Sequence, residues 1–146
     1  MRFMIIVPGG PETESGTPGT EEQFADMQAY QEEMLRAGVY VDGQGLQPTS
    51  KGARVTWEDG EWVVTDGPFA EAKELIAGFS IIEVSSREEA IEWVRRWPRS
   101  CAPSPGRALE LRQIYSPEDF ADAFSPELAE REARMREEAA RTAARG

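Results

Sequence analysis

The hydrophobic period of this chain switches from strand-like to helix-like and back twice, and that order admits few folds. Phe3 to Val7 is a short apolar run, β-branched at its end, as expected of a buried central strand. Thr20 and Gln23 form a capping box that opens a helix toward Ala37, with Phe24, Met27, Met34 and Leu35 as its apolar stripe and Gly38 to end it. Val39-Tyr40-Val41 starts a second strand that fades into the Gly43 and Gly45 segment. Val55 and Trp57 then face Trp62 and Val64 across Glu58-Asp59-Gly60-Glu61, the pattern of a hairpin with a four-residue turn. Phe79 to Val84 is the next strand. Ser85 with Glu88, or Ser86 with Glu89, caps a second helix that ends at Pro98, and Ala108 to Tyr115 makes a final strand.

Strand, helix, strand and hairpin, strand, helix, strand is the order of an α+β fold built on a split β-α-β, ferredoxin-like unit, with both helices on one face of the sheet. In Phe79 to Val84, Phe79 and Ile81 point to one side and Ile82 and Val84 to the other, so both faces of that strand are apolar. Covering the free face with a second copy removes apolar surface from water at about 25 cal/mol per Å². A homodimer is therefore expected.

With 146 residues, 40% of them hydrophobic, the chain fits one core plus an appendage: an α+β domain over 1–115 and a helical extension over 116–146. Ser116-Pro117 starts a short helix and Ser125-Pro126 a longer one ending near Arg145. Beyond Leu128 that helix rests on Glu, Arg and Ala propensity and charge pairs, with little apolar surface. Pro8 to Thr20 is rich in Gly, Pro, Ser, Thr and Glu and reads as a mobile loop, longer than a usual strand-to-helix connection.

A formal charge of −11 opposes nucleic acid backbones and anionic membranes, so neither is an expected partner, although Lys51, Arg54 and Lys73 can still gather round a small anion. The opening apolar run is too short for a signal peptide, no stretch is long enough to span a membrane, and one cysteine forms no internal disulfide. A cytoplasmic protein is expected. The chain has no histidine, which removes Ser-His-Asp and Cys-His mechanisms, His-containing zinc sites and histidine proton shuttles. No metal or other cofactor is implied, and Cys101 reads as an incidental thiol.

Proton transfer would then fall to a carboxylate or a lysine shifted by its surroundings. The loop Asp66 to Glu74 between two strands supplies both types. Glu71 is the leading acid/base candidate, with Phe69 two residues before it as a desolvating wall and Lys73 two residues after. Asp66 is a second catalytic candidate, although its place before Gly67-Pro68 also suits a turn-former. Lys73 and Arg54 are candidate anion binders, and Arg54 can grip a carboxylate through two parallel bonds. Gln47 and Tyr30 can hydrogen-bond a ligand, and Trp57 and Phe69 can stack on a flat one. Ion pairing and core packing are the competing readings for these residues.

The run Asp66-Gly67-Pro68-Phe69-Ala70-Glu71, followed by Lys73-Glu74-Leu75-Ile76-Ala77-Gly78-Phe79, resembles the signature of the YCII-related family, in the branch called DGPF-domain proteins. Asp42-Gly43-Gln44-Gly45-Leu46-Gln47-Pro48, Ser50-Lys51-Gly52-Ala53-Arg54-Val55 and Glu89-Ala90-Ile91-Glu92-Trp93 agree with it, as do Glu118-Asp119-Phe120 and Ser125-Pro126-Glu127-Leu128 near the end. The resemblance implies a dimeric α+β barrel. Better-characterised YCII proteins use a His-Asp pair proposed as acid and base, which this chain cannot supply. Many DGPF relatives place histidine where Gln47 stands and threonine where Ala72 stands. Two functions follow. One is a cofactor-free lyase or isomerase-type enzyme using carboxylate acid/base chemistry on a small molecule. The other is a non-catalytic ligand-binding or accessory protein, in the sigma-factor-linked regulatory context that the resemblance suggests.

Overall fold

β1 (Arg2–Pro8) alternates buried Phe3 and Ile5 with half-buried Met4 and Ile6, so one face of the strand is covered more fully than the other. The computed structural model describes residues 1–70, 74–120 and 122–145, in two compact units, Met1–Ile114 and Tyr115–Gly146. In the first unit, β1 is followed by a single helical turn, α1 (Pro11–Glu14), then α2 (Glu21–Arg36), β2 (Tyr40–Gly45), the hairpin β3 (Ala53–Glu58) and β4 (Glu61–Asp66), β5 (Ile76–Glu83), α3 (Arg87–Arg95) and β6 (Glu110–Gln113).

The four-stranded sheet runs β2-β5-β1-β6 with every neighbouring pair antiparallel. β1 and β2 are thus parallel and split by β5, the ferredoxin-like arrangement that the element order calls for. The hairpin β3–β4 forms its own two-stranded sheet. Its register sets Val55 opposite Val64 and Trp57 opposite Trp62. Asp59 at φ 48° and Gly60 at φ 86° make the turn, both in the left-handed region.

Register divides the main sheet into two faces. Phe3 faces Ile82 and Ile5 faces Ser80, and all four are buried on the helix side. Met4 faces Ile81 and Ile6 faces Phe79 on the opposite side, where all four stay half-buried. The core gathers Phe3, Ile5, Ile82 and Val84 from the sheet, Tyr30 and Met34 from α2, and Ala90 and Trp93 from α3. Tyr30 donates its hydroxyl to the Trp93 carbonyl at 2.8 Å, tying the helices together, and Arg96 pairs with Glu33 across the same seam.

Thr20 caps α2 as the capping box requires: its Oγ1 accepts from the Gln23 amide at 3.2 Å, and Gln23 Oε1 accepts from the Thr20 amide at 2.9 Å. The buried stripe of α2 centres on Tyr30 and Met34, whereas Phe24 and Leu35 are exposed. Leu35, one position from Met34, sits about 100° round the helix, enough to leave the contact. At α3 both serines take part. Ser86 accepts from the Glu89 amide at 3.1 Å, and Ser85 donates its amide and hydroxyl to the Glu89 carboxylate at 2.8 and 2.5 Å, which holds that carboxyl below its usual range.

Two expectations change. Pro8 to Thr20 is not wholly irregular: Pro11 opens α1, and the Gly10 amide donates to Thr13 Oγ1 at 2.8 Å. The last strand is four residues long because its ladder on β1 runs only from Ile6 to Phe3. In the second unit, a 3-10 turn at Pro117–Phe120 precedes α4 (Pro126–Ala143), capped by Ser125 on the Leu128 amide at 3.3 Å. No described side chain of α4 is buried.

Candidate functional site

The end of the hairpin, the turn before it and the loop after it meet through one hydroxyl. Pro48 starts a 3-10 turn over Thr49–Lys51. Thr49 donates its hydroxyl to Glu14 Oε2 at 2.6 Å and its amide to Glu14 Oε1 at 3.2 Å, so both oxygens of the α1 carboxylate are held. The same Thr49 Oγ1 accepts from the Phe69 amide at 3.0 Å. The Gly67 amide donates to the Gly52 carbonyl at 3.0 Å, and a Cβ at Gly67 would lie 1.7 Å from the Thr49 carbonyl oxygen. Only glycine fits this approach. The Gly67–Pro68 peptide is cis.

This junction borders a cleft of ≈ 400 Å³, lined by Gln47, Thr49, Lys51, Arg54, Phe69 and Glu74 among others. Arg54, from the start of β3, lays its guanidinium over the Phe69 ring at 4.0 Å. Such an exposed cation–π contact is worth about 0.5–1 kcal/mol, and it leaves the guanidinium edge available for a ligand. Among the described residues Arg54 has no carboxylate partner, and neither does Lys51. A second hollow of ≈ 610 Å³ shares Glu74, Leu75 and Ile76 with the cleft and adds Ile6, Pro8 and Arg107.

Of the residues singled out in the sequence, Gln47, Arg54 and Phe69 come together in the cleft. Glu71 and Lys73 lie outside the described residues, between Phe69 and Glu74, which both line it. Asp66 is exposed at the end of β4, opposite Ala53, and is not part of the lining. Trp57 stands toward the far end of the hairpin, edge-on to Trp62 with centroids 5.1 Å apart. Tyr30 is a core residue whose hydroxyl is committed to Trp93, and burial pushes its pKa up to about 12 despite the opposing pull of Arg96.

Glu14 and Thr49 were not read from the sequence as site residues. Pro11 after Gly9-Gly10, with acids at 12 and 14, is a usable helix-start signal for α1. Nothing local could have paired Glu14 with Thr49, 35 positions apart.

Among the described residues no helix is long and apolar enough to cross a membrane. A YCII-related domain matches residues 1–108. An uncharacterized protein, R00369, from Rhizobium meliloti (strain 1021), is 37% identical over 99 residues, 66% of this chain and 78% of that protein. The family match runs from β1 through α3, takes in the inserted hairpin and the cleft, and ends just before β6. On sequence and architecture together, this chain belongs to the YCII-related family.

Proposed function

We propose that the cleft beside Arg54 receives a small anion or a small molecule bearing one, and that Glu71 carries out acid/base chemistry on it in a cofactor-free lyase or isomerase-type reaction. One observation carries this reading: Arg54 and Lys51, without carboxylate partners among the described residues, face the same cleft as Gln47, with Arg54 braced on Phe69. A cation held in place without a protein counter-ion is suited to an external one. Lys73 would add a third positive charge, and Asp66 would act from the loop's entrance rather than from the lining.

The absence of histidine favours a second reading, a ligand-binding or accessory protein that does not turn its ligand over. Gln47 donates and accepts hydrogen bonds but exchanges no proton at neutral pH. Placement in the DGPF branch, and with it the sigma-factor-linked context, belongs to this reading. In both readings the protein is a homodimer, supported by the open sheet face that carries Met4, Ile6, Phe79 and Ile81.

The test is a titration with small carboxylates and inorganic phosphate, followed by calorimetry. Arg54→Gln is expected to weaken the best anion at least tenfold, and an unchanged affinity overturns the cleft as the site. With a turned-over substrate in hand, Glu71→Gln separates the readings. Loss of turnover with binding retained supports catalysis, whereas unaltered turnover removes Glu71 from the mechanism.

A further inference from the structure

A different hollow, of ≈ 250 Å³, lies between α2 and the β2–β5 edge of the sheet. Its walls are Met27 and Gln31 of α2, Trp97, Cys101 and the Gly43–Gly45 and Ala77–Ser80 stretches of the two strands. Three of those strand positions, Gly43, Gly45 and Gly78, carry no side chain where a sheet under a helix ordinarily places β-branched residues. A Cβ at Gly43 would come within 2.9 Å of the Tyr40 hydroxyl and 3.1 Å of Ser80 Oγ, and one at Gly78 within 2.7 Å of the Gln44 carbonyl oxygen. A Cβ at Gly45 would meet nothing within 4 Å.

Two polar side chains, Ser80 and Gln31, border this space. Ser80 is 5% exposed and is the one polar residue buried with the core among the described residues; its hydroxyl, with no hydrogen bond there, is not itself sealed and opens onto the hollow. Gln31 is half-buried, so its amide is likewise open to the hollow. Among the described residues no buried side-chain oxygen or nitrogen lacks a partner, so these two groups are not sealed in but open onto the hollow, where each is free to pair with an occupant. Cys101 is already engaged, its thiol donating to the Gln23 carbonyl at 3.3 Å. Trp97 is fixed by its indole N–H on the Cys101 carbonyl at 3.0 Å and by an edge contact with Tyr30.

We infer that this hollow is a second binding site, for a small neutral aromatic molecule with one hydrogen-bonding group directed at Ser80 and Gln31. Among the described residues no charged side chain lines it, so an ion would lose its hydration without a counter-charge. An apolar cavity of about 150 Å³ holds benzene, so this one has room for a single ring and a polar substituent. Trp97 and Met27 supply a ring face and a thioether as apolar contacts. The site differs from the Arg54 cleft in charge preference, which keeps the two experimentally separate.

The probes are phenol, benzamide and benzoate, titrated into ¹⁵N-labelled full-length protein. Phenol or benzamide is expected to shift the amides of Gly43 to Gly45 and Ala77 to Ser80 saturably, with benzoate at least tenfold weaker there. Gly45→Leu, which fills open space at the edge of the hollow, is expected to weaken the neutral probes at least tenfold, and Ser80→Ala about threefold to tenfold. Absence of saturable shifts, equal binding of benzoate at these amides, or indifference to both substitutions overturns the inference. Should Gly45→Leu lose its fold, Ser80→Ala and Gln31→Met, which preserve shape, decide the matter alone.

Discussion

Gly67 shows how one residue type can be dictated by a neighbour far along the chain. With the Thr49 carbonyl oxygen 1.7 Å from where a Cβ would sit, Gly67→Ala forces the loop and the 3-10 turn apart. A loss of about 2–3 kcal/mol in urea unfolding is expected, within the range of clashes at packed sites. Tyr30 makes the opposite point, because its hydroxyl reads from sequence as a ligand donor yet is spent on a helix carbonyl. Its pKa is raised to about 12 from 10.0, chiefly by burial, so the folded state holds the phenol proton more tightly than the unfolded chain. The associated stability is intact below pH 10 and lost as pH rises toward 12, about 2–3 kcal/mol in all. Tyr30→Phe is expected to flatten that fall in chemical-denaturation midpoints above pH 10, and to cost about 1 kcal/mol at neutral pH through the missing hydrogen bond.

At the scale of elements, β5 separates the helix-covered core from the face proposed for the homodimer within two adjacent residues. Ile82 is fully buried under the helices, while Ile81 faces the other way beside Met4. Ile82→Ala is expected to cost about 2–5 kcal/mol of folding stability. Ile81→Glu is expected to leave folding largely intact and reduce the mass by light scattering to that of one chain; a retained dimer would remove this face from the interface. The two-sided apolar pattern of β5, the capping boxes and the hairpin pairing were legible because each rests on neighbours within a few residues. The Glu14–Thr49–Phe69 junction and the α2 hollow were not, because they depend on contacts across 20 or more positions and on side chains that are missing rather than present. Arg54, Gln47 and Phe69 were identifiable as chemistry-bearing types, but only the packed loop shows that they share a cleft without Trp57, Tyr30 or Asp66.

For the whole molecule, charge opposes the homodimer proposed for the open sheet face. Each chain carries a formal −11, so bringing two together doubles the charge in one particle. Raising salt from about 0.05 to 0.5 M shortens the screening length several-fold and is expected to tighten the proposed dimer in sedimentation equilibrium. A dimer that loosens with salt would indicate ion pairs, not apolar contact, as its basis. The family assignment was legible before any coordinates because the matching motifs run in one order along most of the chain, whereas a reaction is a property of one small site.

The hairpin also gives the protein an optical reporter of its own. Trp57 and Trp62 stand with ring centroids 5.1 Å apart and planes at 65°. Indole transitions that close and that skewed couple, producing a paired positive and negative band in far-ultraviolet circular dichroism. Because both rings sit at the outer part of β3–β4 and are more than half exposed, the amplitude of that couplet follows the pairing of this hairpin without any label.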